Sequence, residues 1–276
     1  MNAVVEDALI TPAMFRQRIV HIIGVGSLGS AVFQNLIRMQ VERIVLWDVD
    51  VVEARNRFNQ RVFEVDINAK KILAQARIAG MIDTQAVGRL ELRDEKVTKD
   101  TLFDKQCIVI AAVDSMAARV AIWNCVRGNP NVSFFVDGRL GMVGGKVFGL
   151  DPNNVEHIAR YEDPIHLHAD PVQALAVCKT EFPMPAIADI IAGHMLWRMV
   201  RWFHLERGSE DPYDNFVGLR FVPSVVQVTE QWDQPLRKEE IIQEEVLEVK
   251  VTWRDKLTSL LKRLLFRKLT SSRVSE

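Results

Sequence analysis

A chain of 276 residues, 48% apolar and 26% charged, is long enough for one large domain or two small ones, and it excludes a disordered or fibrous protein. A net charge of -1 excludes global steering toward nucleic acid or acidic lipid. The 3 cysteines, Cys107, Cys125 and Cys178, are widely spaced with no CxxC pair, which excludes a disulfide framework and a structural zinc site.

A reducing compartment follows from that cysteine usage, and no segment has the form of a signal peptide or of a spanning helix of roughly 18 apolar residues. A cytoplasmic protein is expected.

In chain order, "RIVHIIGVGSLGSAVFQNLIRM" reads as a buried strand, a glycine turn and a helix with Ala31, Phe33, Leu36 and Ile37 at helical spacing. "VERIVLWD" is a second strand ending at Asp48. After a long polar connection, "AKKILAQARIAGMI" is an amphipathic helix, and the sheet continues with "AVGRLEL". "CIVIAAVD" is a third apolar strand, "SMAARVAIWNCVR" a helix and "VSFFVDGR" a fourth strand.

The alternation predicts an α/β fold with a Rossmann-like, doubly wound, mostly parallel sheet. From Gly141, "GMVGGKVFGLDP" predicts a further extended strand in an added antiparallel portion, and the segment up to Cys178 reads as irregular and proline-rich. A long helix, apolar nearly all round, is expected from about Pro185 to His204, buried in the core or in a dimer interface. These elements assign 1–230 to one nucleotide-binding domain and 231–276 to a charged tail. In the tail, Leu257, Leu260, Leu261, Leu264 and Leu265 share one helical face and Lys262, Arg263, Arg267 and Lys268 another. This basic amphipathic helix suits docking on its own domain or on a second copy better than a membrane surface or an acidic partner.

Gly24, Gly26 and Gly29 form GxGxxG between strand and helix, so backbone N–H groups and the helix dipole can face a phosphate. Asp48, about 20 residues on, stands where a carboxylate accepts ribose hydroxyls, which serves NAD and ATP equally. The polar arm that follows separates them. Asn56, Asn59, Gln60, Arg55, Arg57 and Arg61, with Lys71 opening the next helix, have no task in dinucleotide binding, whereas a triphosphate needs preorganised donors and cations. The arginines equally fit a solvated face, and Asp50 and Glu53 fit loop capping or dimer contacts. Asp114, at the carboxyl end of the third apolar strand, can hold Mg²⁺ or cap the next helix. Arg139 reads as a surface partner of Asp137. His157, His166 and His168 read as solvated loop histidines rather than a metal site.

This ordered set resembles the ThiF/MoeB/HesA superfamily, which includes the ubiquitin-activating enzymes. The resemblance runs from about Arg18 to Phe203 and is carried by "GVGSLGS", "DVDVVE", Asn56, "NQ" at 59–60, "DINAKK" ending on Lys71, and "DSMAAR" from Asp114 to Arg119. It implies that Asp48 holds the ribose, that Asn56 and Lys71 contact the phosphates, and that Asp114 organises Mg²⁺. Asn59 stands where the family usually has arginine and Asn68 where it usually has glycine, with Arg57 or Arg61 as replacements for the missing charge. Asn59 and Gln60 together look similar to a bacterial subgroup.

The implied activity is ATP- and Mg²⁺-dependent adenylation of the C-terminal carboxylate of a ubiquitin-like or sulfur-carrier protein ending in glycine, by a homodimer. Cys107 and Cys125 read as inert, while Cys178, beside Lys179 in a loop before the long helix, resembles the catalytic cysteine that takes the acyl group, with a conjugating enzyme as a further partner. The rival expectations are an NAD-dependent oxidoreductase and a nucleotide-binding scaffold without turnover.

Overall fold

The computed structural model describes residues 12–15, 18–141, 144–167, 185–206, 216–222 and 225–229. One 8-stranded sheet organises them, with strands β1 (Val20–Ile23), β2 (Ile44–Trp47), β3 (Leu90–Arg93), β4 (Cys107–Ala111), β5 (Val132–Leu140), β6 (Gly144–Leu150), β7 (Phe216–Val222) and β8 (Val225–Thr229) in the order β3-β2-β1-β4-β5-β6-β7-β8. β3 through β5 run parallel, and β6, β7 and β8 add on antiparallel. The expected Rossmann-like architecture with an antiparallel extension is the observed one. The parallel strands β1, β2 and β4 are wholly buried because helices cover both sheet faces, so their sequences are continuous apolar runs rather than alternations.

Helix α1 (Ser27–Arg38) buries Leu28, Val32, Leu36 and their neighbours, and α2 (Lys71–Ile82) buries Ile72, Gln75, Ile78 and Ala79 while leaving Leu73 and Met81 outside. α3 (Met116–Val126) covers the opposite face, where Trp123 packs 5.4 Å from Phe135 and 4.6 Å from Tyr161. On the α1 side, the long helix α6 (Pro185–Glu206) stacks Trp202 on Phe134 at 4.8 Å and sets Phe203 edge-on to Phe15 at 5.0 Å. Its burial against the sheet accounts for most of its apolar residues, but Ile190 and Trp197 stay 40% and 42% exposed.

Two expectations are corrected here. The stretch after β6 is not irregular throughout, because residues within it form α4 (Val155–Tyr161) and the short α5 (Pro164–Leu167). The side chain of Asn154 accepts the backbone N–H groups of Glu156 and His157, which starts α4 despite the flanking prolines. Nor are His157 and His166 solvated. His157 is half-buried and its Nδ1 accepts the N–H of Asp151, and His166 packs 5.1 Å from Phe148 and is buried. His168 lies outside the described residues, as do Cys178 and the whole of 231–276 with its expected amphipathic helix. Among the described residues no helix is long and apolar enough to cross a membrane, and no group of three or more His, Cys, Asp or Glu gathers to hold a metal.

His21 is buried in β1, with its Nδ1 3.1 Å from Trp47 Nε1. An indole N–H can only donate, so Nδ1 must accept and the imidazole is neutral. Burial lowers the pKa of His21 to about 4 against the opposing pull of Asp104 and Glu91, with Arg93 adding to the lowering. Burial, Lys146 and Arg139 likewise lower that of His166 to about 4, against Asp163. Both imidazoles therefore bind protons more readily in the unfolded chain between the ordinary histidine value, about 6.5, and the folded value. Stability is fully present above that window and is lost as pH falls through it, by up to about 1.4 kcal/mol per pH unit for each histidine. Urea melts at pH 7, 6 and 5 should show the slope, and His21→Gln should reduce it.

Candidate functional site

In the strand order, the chain leaves β1 toward β2 and β3 and then returns to the other side of β1 to make β4. The carboxyl ends of β1 and β4 therefore border a crevice where an open α/β sheet binds its ligand. The glycine loop follows β1 and Asp114 follows β4, so the topology brings both to this crevice.

Each glycine has its own reason. Gly24 has φ +87, and a Cβ there would lie 2.8 Å from the carbonyl oxygen of Ala112, just past the end of β4. Gly29 lets α1 pack onto its own loop, since a Cβ would lie 1.9 Å from the Gly24 carbonyl oxygen. Gly26 is open, with only Gln60 Nε2 near its missing Cβ at 3.8 Å. It caps α1 without a side-chain bond, which leaves the first-turn N–H groups to meet an anion.

Asp48 is tied to this loop: its Oδ2 accepts from the Val25 N–H and its Oδ1 from the Asp50 N–H, both at 2.8 Å. Each oxygen keeps a further lone pair for a ligand hydroxyl. The arm after β2 folds into a short 3₁₀ turn, Ala54–Phe58. Asn56 is buried there, its Oδ1 accepting from the Glu53 N–H at 2.8 Å and its carbonyl from the Gln60 N–H at 2.7 Å. That turn presents Asn59 and Gln60 toward the loop. Ser27 Oγ, Asn59 Oδ1 and Gln60 Oε1 are all buried and find no hydrogen-bond partner among the described residues. Buried polar atoms left without partners are costly; Ser27 opens α1 and Gln60 Nε2 lies by Gly26, so the Ser27 hydroxyl and the Gln60 side-chain amide stand at the mouth of the glycine loop, where a polar ligand can meet them.

Lys71 is buried, with Nζ 2.8 Å from Asp50 Oδ2 and its backbone N–H on the Asp50 carbonyl at 3.0 Å. Asp50 is the ion-pair partner of Lys71, with its side chain on the protein surface. Arg55 is 80% exposed and pairs with Glu53. Arg57 lies over the ring of Phe58 at 4.9 Å and reaches Glu64 at 3.3 Å. Arg61 pairs with Asp189 of α6 at 2.7 Å. Asn68 has φ +70, so it takes the left-handed conformation for which glycine is the usual residue and asparagine a tolerated one.

Asp114 is exposed at the crevice and does not cap α3, because the side chain of Ser115 accepts the Ala118 N–H in that role. As a lone exposed carboxylate it suits Mg²⁺, which takes one or two protein carboxylates and completes its shell with water and phosphate oxygens.

A buried ionic cluster adjoins the crevice; the expected Asp137–Arg139 pair is part of it, but in the interior and joined by Arg119 and Tyr161. Asp137, wholly buried, receives Arg119 Nε at 2.6 Å, Arg139 Nε at 2.7 Å and the Tyr161 hydroxyl at 2.9 Å. Arg139 is therefore an interior residue and not a surface partner. Arg119 also donates to the Val113 carbonyl at 2.7 Å and the Gly138 carbonyl at 3.1 Å, which ties β5 to the chain just ahead of Asp114. Burial works to raise the pKa of Asp137, but the two arginines overcome it and hold the carboxyl below the ordinary carboxylate range. Burial with Asp137 raises that of Tyr161, so the phenol stays a donor. Cys107 is pushed up to about 12, chiefly by burial, and is inert as expected.

Comparison with known proteins gives a consistent result. The model of the ThiF family matches residues 13–228. The ubiquitin-like modifier-activating enzyme 5 of Drosophila virilis is 30% identical over 139 residues, which are 45% of this chain and 34% of that protein. The chain thus spans about a third of the length of that curated relative. In fold it is similar to Escherichia coli MccB with ATP, at TM-score 0.58 and 14% identity over 80% of this chain and 65% of that one. It is also similar to the E. coli tRNA N6-threonylcarbamoyladenosine dehydratase TcdA, at TM-score 0.52 and 17% identity over 71% and 90%.

Proposed function

Because this chain belongs to the ThiF family, we propose that it binds ATP between β1 and β4 and uses it to adenylate the C-terminal carboxylate of a ubiquitin-like or sulfur-carrier protein. The observation that carries the reading is the open N-terminus of α1, where Gly26 supplies no side-chain cap and leaves room beside the amides, with the Ser27 hydroxyl buried there and without a partner among the described residues. Supporting it are the ubiquitin-like activating function named for the Drosophila relative and the ATP named for the MccB structure.

In this reading Asp48 takes the ribose hydroxyls, the α1 amides and the side-chain N–H groups of Asn56, Asn59 and Gln60 donate to the phosphates, and Lys71 exchanges Asp50 for phosphate oxygens. Arg57 or Arg61 supplies the remaining positive charge. Asp114 would hold Mg²⁺, which supplies charge neutralisation at the phosphates. The carrier carboxylate oxygen attacks the α-phosphorus as the bond to the bridging oxygen breaks. Pyrophosphate leaves and an acyl-adenylate forms. Catalysis is then mainly positioning and electrostatics, with little covalent work for the protein. Cys178, as thiolate, would next attack the acyl carbon, forming a thioester and releasing AMP, and hand the acyl group to a conjugating enzyme. A homodimer belongs to the same proposal.

Calorimetry with Mg-ATP against NAD is the direct test. ATP should bind, and Lys71→Ala and Asp114→Ala should each weaken it by about tenfold or more, as expected for lost charged hydrogen bonds. Binding of NAD alone, indifferent to both substitutions, would sink the proposal. With a carrier ending in glycine, Cys178→Ser should keep pyrophosphate exchange and lose the thioester. ATP binding without any exchange would instead favour the scaffold reading.

A further inference from the structure

Two cations, Lys71 at the start of α2 and Arg61 in the arm after β2, are each held by a carboxylate, but in different ways. The Lys71–Asp50 pair is built into the backbone, through the Lys71 N–H on the Asp50 carbonyl and the Val51–Lys70 bridge beside it. The Arg61–Asp189 pair joins two elements 128 residues apart in the chain, with side chains 31% and 52% exposed. An exposed pair of that kind has little net worth and is exchanged easily.

The backbone of Arg61 is nonetheless fixed at the site. Its N–H donates to Ser30 Oγ at 3.2 Å, and its carbonyl accepts from Gln34 Nε2 and Gln75 Nε2, each at 3.0 Å. Ser30 lies in the first turn of α1, and Gln60, the preceding residue, lies by Gly26. Asp189 is at the same edge of the sheet. A Cβ on Gly145 would meet Ile191 and one on Gly138 would meet Met195 and Leu28, which puts the start of α6 over the carboxyl end of β5. The other end of α6 carries Glu206, paired with Arg18 ahead of β1. Neither of the other arm arginines is tied to α1: Arg55 holds Glu53, and Arg57 holds Glu64 over its own neighbour Phe58.

We propose that Arg61 is a second phosphate-binding cation of this site, beside Lys71, and that Asp189 holds it while the nucleotide is absent, so that triphosphate binding moves the guanidinium from a carboxylate of α6 to the phosphates. The proposal rests on the ATP reading above and deepens it. Arginine suits the exchange, because its fork pairs bidentately with carboxylate and phosphate alike. A triphosphate offers several negative oxygens in place of one carboxylate. Asp189 is a positioning residue here and Arg61 the residue that touches substrate. The charge that Asn59 does not supply is thereby provided from two residues further along the same arm.

The test is a double-mutant cycle on the full chain, read by calorimetry with Mg-ATP and with AMP. Arg61→Ala should weaken ATP binding by about tenfold or more, with Arg61→Lys recovering part of the loss. Asp189→Asn should tighten ATP binding by about two- to fivefold, as expected for releasing an exposed pair. In the Arg61→Ala background Asp189→Asn should change nothing, and AMP binding should respond much less to either substitution. ATP binding indifferent to Arg61, or an equal effect of Asp189→Asn in both backgrounds, overturns the hand-over while leaving the nucleotide reading intact. A wild-type chain that binds no ATP removes both.

Discussion

Asp137→Ala should lower the stability of the folded chain by about 3–5 kcal/mol, the range for removing one partner of a buried ion pair. The magnitude comes from what is left behind rather than from the bonds removed. Arg119 and Arg139 would keep their charges in the interior with no anion opposite, and the Tyr161 hydroxyl would lose its acceptor. Urea denaturation measures the loss. Asp137→Asn should recover part of it, since an amide oxygen still accepts one of the hydrogen bonds, and Arg139→Ala should cost less in the Asp137→Ala background than in the wild type. Effects of the two substitutions that simply add would mean that the cluster does not act as a unit. Arg119 also holds the Val113 carbonyl, so nucleotide binding at the neighbouring crevice should fall with stability even though Asp137 contacts no ligand.

Much of the sheet was legible because parallel strands buried on both faces leave continuous apolar runs, and because each run ends in a residue that faces the crevice. The glycine loop and arm were legible as an order of residue types. What could not be read were pairings between distant positions: Lys71 with Asp50 across a bridge, and Arg61 with Asp189 on α6. Asp137 pairs with Arg139 as expected, but its burial is also signalled by the sequence. An aspartate inside "FFVDGR" shares a strand face with Arg139, since side chains alternate, and a charge in an otherwise apolar strand calls for a buried partner. α4 was hidden by prolines on either side, although Asn154 ahead of Val155, Ile158 and Tyr161 is an N-cap followed by helical spacing. Conversely, Asn68 looked like a departure from the family pattern and is a conservative one, because its positive φ preserves the turn that a glycine would make.

Gly29→Ala and Gly26→Ala should separate the two uses to which the loop's glycines are put. At Gly29 the new methyl would lie 1.9 Å from the Gly24 carbonyl oxygen and 2.9 Å from its carbon, both backbone atoms held by the strand. α1 must then move off the loop. Gly24 cannot yield in compensation, since it already has φ +87 and its N–H is bonded to the Trp47 carbonyl at 2.8 Å. The expected cost is the upper part of the overpacking range, about 3 kcal/mol, with nucleotide binding lost as well. At Gly26 a methyl would meet only Gln60 Nε2, at 3.8 Å, and the backbone there has φ -71, which any residue adopts. Gly26→Ala should therefore melt like the wild type, yet it puts a methyl where a phosphate must approach the α1 amides, and ATP binding should fall by about tenfold or more. Thermal melts and ATP titrations of the two variants form one experiment. If Gly26→Ala keeps full ATP affinity, the open face of the loop does not receive the phosphates, and the nucleotide must lie elsewhere along the crevice.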